Sequence, residues 1–71
     1  MYKLTYLLDN KEELFAMKYD VTKGQIPIIP RVGELVSIPN RGNKIVKDVI
    51  YDLFSEKERN IFIVLSHLNT K

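Results

Sequence analysis

His67 is the only histidine of this 71-residue chain, and it has no cysteine to accompany it. A metal site built from nitrogen and sulfur needs several such ligands, so a single imidazole near the C terminus is expected to be an ordinary strand-end residue. Ser37, Ser55 and Ser66 stand in no nucleophile-elbow context, and no spacing joins His67 to an aspartate as a triad requires. The acid pairs Glu12 with Glu13 and Asp48 with Asp52 are expected to be surface charges rather than a matched acid and base. Gly33 and Gly42 are isolated turn glycines, and neither opens a phosphate-binding loop. The chain is therefore expected to be no enzyme and to hold neither cofactor nor metal.

Two groups of residues suit binding instead. Net charge is +2, but from Lys23 to Lys47 five basic residues face one acid, Glu34. Within that segment Arg31, Arg41, Lys44 and Lys47 form a candidate nucleic-acid surface, with Tyr2, Tyr6, Tyr19 or Tyr51 as a stacking face. The second group is Ile26, Ile28 and Ile29, in a stretch whose prolines, Pro27 and Pro30, favour an extended connector over a ladder strand. Those isoleucines either plug one open end of a barrel or offer an apolar contact to a partner. The protein contact is preferred, because the basic excess is modest and neither a basic run nor an RNP-type aromatic motif is present.

The elements that must carry these residues follow from a period of two. Glu34 to Ile38 and Ile45 to Phe54 read as two strands, with the turn chemistry of Pro39-Asn40-Arg41-Gly42-Asn43 between them. Pro30 and Gly33 mark a corner before the first of the two. Tyr2 to Leu8 alternates as a half-buried strand, and Asp9-Asn10-Lys11 supplies a turn. From Glu13 to Val21 the alternation favours a second strand, against a short helix over 11–18 that Asn10 and Glu13 would cap. Asn60 to Leu68 is apolar on both faces and is expected to be interior. Ser55 to Arg59 reads as a charged loop, and Asn69 to Lys71 as a fraying end. The expected core is Leu4, Tyr6, Phe15, Val36, Ile38, Val49, Tyr51, Ile61, Ile63 and Leu65.

A chain of 8.3 kDa makes one domain, residues 1–71, and buries only about 60% of its extended surface. Without disulfides so small a core is marginal, and a second chain is one way to complete it. No apolar stretch reaches signal-peptide or membrane-spanning length, so a soluble cytoplasmic protein is expected. The order hairpin, proline-rich crossover, hairpin and return strand predicts an all-β fold. It is either a five-stranded antiparallel small barrel, SH3-like or OB-like, or an open sheet completed by a dimer partner. The run Pro30-Arg-Val-Gly-Glu-Leu-Val, then Ile45-Val-Lys-Asp-Val-Ile-Tyr, then Ile61-Phe-Ile-Val-Leu resembles short β-barrel proteins of bacteria and their phages, over residues 30–65. The resemblance implies a small barrel and brings no functional residue with it. The expected function is that of a protein-binding module, a phage or mobile-element factor that inhibits or adapts a host protein. Its partner would be another protein or a second copy, and nucleic-acid binding is the alternative.

Overall fold

In a computed structural model, in which residues 1–52 and 59–67 are described, the chain forms β1 (Tyr2–Leu8), β2 (Glu13–Tyr19), a 3-10 turn at Val21–Lys23, β3 (Leu35–Ile38), β4 (Gly42–Asp52) and β5 (Arg59–His67). The strands make one sheet in the order β2-β1-β5-β4-β3, bent nearly into a small barrel. There is no α-helix among the described residues, and none of them forms a helix long and apolar enough to cross a membrane. Leu53, Phe54, Leu68, the charged stretch 55–58 and the terminal 69–71 lie outside the described residues.

Turn chemistry sets the two hairpins. After β1 the Lys11 N–H donates to the Leu8 carbonyl at 2.8 Å, Lys11 takes φ 72°, and the Leu8 N–H returns to the Glu12 carbonyl at 2.9 Å. This is a three-residue loop closed by a left-handed residue, and it turns the chain straight back into β2 rather than into a helix. Asn10 does cap locally, accepting the Glu12 N–H at 2.9 Å, but what it caps is the hairpin loop. Between β3 and β4 the Arg41 N–H donates to the Ile38 carbonyl at 3.0 Å across Pro39 and Asn40, and Asn40 and Gly42 take φ 64° and 79°. Proline followed by a positive φ is what a type II turn asks of its two central residues.

The sheet is mixed, which corrects the expectation of a purely antiparallel one. β5 runs antiparallel to β4 but parallel to β1, with Leu4 opposite Ile61 and Leu8 opposite Leu65. The cause lies in β5 itself: apolar on both faces, it gains most from a neighbour on each side, and so it lies between β1 and β4. Once β4 fixes its direction, that direction is the direction of β1.

Core residues share one face. Leu4 and Leu8 of β1, Ile61, Ile63 and Leu65 of β5, Val46 of β4 and Ile38 of β3 are buried. Tyr6, Phe15, Val36 and Val49, all expected in the core, are half-buried and pack against it. Tyr51 is a correction, being 56% exposed although it lies opposite the buried Ile61. The reason is the shortness of β3, which pairs with Gly42 to Ile45, so the end of β4 that carries Tyr51 has no strand beyond it.

Candidate protein-binding surface

From Asp20 to Glu34 the chain crosses between the two hairpins, and it is fixed at three points. At the near end Asp20 caps the 3-10 turn: its carboxylate accepts from the Thr22 hydroxyl at 2.6 Å and from the Thr22 N–H at 3.0 Å. These hydrogen bonds, the hydroxyl's foremost, hold its carboxyl below the usual carboxylate range. The Asp20 N–H donates to the Gln25 side-chain oxygen at 2.8 Å, and the Gln25 N–H donates to the Asp20 carbonyl at 3.2 Å. Gly24 closes the turn with φ 78°.

The far end is a second tight turn. The Glu34 N–H donates to the Arg31 carbonyl at 3.0 Å, and the Glu34 carboxylate accepts the Arg31 N–H at 2.6 Å. Gly33, at φ 94°, gives its N–H to the Val46 carbonyl at 2.8 Å, while the Val46 N–H donates to the Glu34 carbonyl at 2.9 Å. Two residues thus oppose one, a glycine bulge that joins the crossover to β4 just before β3 begins.

Between these ends Gln25 to Pro30 has no regular structure, and its third anchor is a side chain. Ile29 packs against the core, while Ile26 and Ile28 are 77% and 83% exposed. The three candidate isoleucines therefore divide: Ile29 packs against the core, and Ile26 with Ile28 makes an exposed apolar stretch. Val32 at the tip of the far turn and Leu35 at the start of β3 are exposed as well. Sequence patterning did not single out those two. The signal was available, since Val32 sits at a turn tip and Leu35 faces away from Val36 and Ile38 in alternation.

The basic candidates do not converge on one open surface. The Arg41 guanidinium donates to the Glu12 carboxylate at 2.7 Å, tying the β3–β4 turn to the β1–β2 turn. Lys44 is 8% exposed, and its ammonium donates to the Arg41 carbonyl, so its stem lies in the core rim while its head caps the turn. Lys44, a candidate for an open basic surface, is therefore largely withdrawn from solvent. The cause is the period of two, which puts Lys44 on the same side as the buried Val46. Lys47, the extra residue where the β4–β5 register shifts, stands 4.0 Å from Asp9. Arg31 remains at the surface. Among the tyrosines Tyr2, Tyr6 and Tyr19 pack against the core, with Tyr6 tilted on Phe15 at 6.2 Å between ring centroids. Burial, and then Tyr19, push the Tyr6 phenol above its ordinary value. Tyr51 alone of the four shows most of its ring.

His67 is exposed at the end of β5, across from Lys44. Asp48 lies opposite Val64 and Asp52 opposite Asn60, with Ile50 between them along β4. Among the described residues no three His, Asp or Glu side chains gather closely enough to hold a metal ion. No protein-family model, no curated protein and no solved structure matches this chain.

Proposed function

We propose that the chain is a non-enzymatic protein-binding module, a cytoplasmic factor of a phage or mobile element that inhibits or adapts a host protein, and that its contact is the stretch of Ile26 and Ile28. One observation carries this reading: Ile26 and Ile28, with only Pro27 between them, stand largely in solvent on a segment anchored at both ends and through Ile29. Exposed isoleucine on a slack loop would have to be ordered on binding. Here the prolines and the anchors restrict the segment beforehand, which lowers that cost.

The same prolines define the mode of contact. Pro27 and Pro30 have no N–H to give, so a partner cannot add itself as a regular strand along the connector and must take up side chains. Burying each isoleucine fully is worth about 1.5 to 3 kcal/mol, enough for the pair to dominate a small interface. Lys23 and Arg31 flank the stretch in sequence and are exposed, so a contact rimmed by carboxylates suits it best.

The test is Ile28→Asp, alone and with Ile26→Asp, in capture of a host protein from lysate. Capture is expected to be lost while circular dichroism and the denaturation midpoint stay unchanged; equal capture by the folded double variant overturns the reading. The nucleic-acid reading is disfavoured because Arg41, Lys44 and Lys47 have intramolecular roles. Its check is direct: no association with DNA or RNA is expected at about 50 mM salt, where counterion release favours binding most.

A further inference from the structure

β4 outruns the strand beside it. It spans Gly42–Asp52, while β3 pairs only with Gly42 to Ile45. The ladder reaches one residue further, where Val46 exchanges hydrogen bonds with Gly33 and Glu34. Beyond that point the chain leading into β3 leaves in the turn of Arg31 to Glu34, and among the described residues no main chain bonds to β4 on that side. Asp48 to Asp52 therefore pair with β5 on one side and present a bare ladder on the other. β4 is an inner strand in the order of the sheet, and the shortness of β3 is what bares it.

We infer that this margin of β4 takes an extended segment of another protein as an added strand, in line with β3 and antiparallel to β4, with a lysine or arginine opposite Asp48. Main-chain groups come first. A row of unpaired N–H and C=O groups is matched in full only by another main chain, so the occupant is a strand rather than a helix or a single side chain. The exposed side chains come second. Ile50 and Tyr51 are 51% and 56% exposed and lie on opposite faces, Tyr51 beside the buried Ile61 and Ile50 beside Phe62. Successive apolar side chains of an added strand cover both.

Charge then selects the partner. Asp48 is exposed, lies on the face of Ile50, and makes no ion pair among the described residues. A cation across from it forms an opposite-charge pair, whereas an acid there destabilises the sheet. A second copy is disfavoured on the same ground: two such margins set antiparallel with Ile50 on Ile50 bring Asp48 across from Asp52. Asp52 has an interaction of its own, and the inference does not count on it. Nor does it rest on the proposed function, since Ile26 and Ile28 belong to the crossover.

The probe is a short capped peptide of three successive valines followed by lysine, titrated into the isotope-labelled whole chain and followed by NMR. Saturable binding is expected with a Kd of about 1 mM or tighter, with shifts centred on Asp48 to Asp52. Only alternate amides of an added strand face the sheet it joins, so methylating one alternate set of the peptide amides should abolish binding and methylating the other should leave it. Asp48→Lys should weaken binding about tenfold, and a peptide with glutamate in place of its lysine should bind that variant better than it binds the wild type. Ile28→Asp should bind the peptide as the wild type does. The methylated peptides are tested on the wild-type chain, so they decide the matter even where Asp48→Lys does not fold. Absence of saturable binding overturns the inference. So do equal effects of the two methylated sets, shifts centred on β2 or on the crossover, or a folded Asp48→Lys variant that does not distinguish the two peptides.

Discussion

β5 and the crossover Gln25 to Pro30 are both rich in isoleucine, and they end in opposite environments. Ile61 and Ile63 of β5 are buried, whereas Ile26 and Ile28 of the crossover face water. Hydrophobicity does not separate the two segments; the backbone does. Every residue of β5 has an N–H, and the strand finds ladders on both sides, with β1 and β4. The crossover has a proline at two of its six positions, and a strand with gaps in its donors cannot take a place inside a sheet. Side chains follow their backbone, so the isoleucines of the crossover stay outside except where Ile29 turns back to the core.

The widest test of this contrast is a pair of truncations. Ile63→Ala removes a side chain from the middle of the core and should cost about 2 to 5 kcal/mol. Ile28→Ala should change stability by no more than about 0.5 kcal/mol, as a surface substitution does. Urea denaturation of both variants measures the difference directly. Similar midpoints for the two would mean that Ile28 is covered or that Ile63 is not in the core.

Much of this contrast was legible in the residues, and the rest was not for physical reasons. Alternation is local, so it located β1, β2 and β5, and the prolines marked the crossover. Which strand lies beside which is a non-local matter, and nothing in the pattern of β1 states that β5 will run parallel to it. Tyr51 alternates as a core residue should; its exposure follows from the length of β3, a different part of the chain. In the candidate site the prolines and isoleucines marked the segment, but the division between Ile28 and Ile29 depends on how the crossover is anchored at Gln25 and at Gly33. Lys44 shares its parity with Val46, so the alternation of β4 already places it on the inner side, although a lysine is seldom buried.

A second, smaller test addresses the far anchor. Gly33→Ala should destabilise the fold by about 1 to 2 kcal/mol, the penalty of a left-handed conformation for a residue with Cβ. Space is not the issue, because beyond its two chain neighbours nothing lies within 4 Å of where that Cβ would stand. The cost belongs to the backbone alone. If Gly33→Ala proves neutral, the bulge can relax and the crossover is less firmly held than the contrast with β5 requires.

The smallest expected effect separates the two regions by acid. The carboxyl of Asp20 lies below its ordinary value because the Thr22 hydroxyl and amide donate to its charged form. A group depressed in the folded state adds stability above its unfolded pKa and loses it as pH falls through the folded value. The near anchor should therefore begin to weaken below about pH 4, where a free carboxyl starts to take up a proton. Asp20 is at the surface, so the effect stays local, and it belongs to the crossover rather than to the sheet. Amide hydrogen exchange compared on either side of that pH, after correction for the intrinsic rate, should show protection falling at Thr22 and Gln25 while it holds at Ile63. Substituting Asn for Asp20 should remove the pH dependence at Thr22. Equal loss of protection in both regions would mean that the crossover and the sheet open as one unit, and the contrast between them would then lie in composition and not in stability.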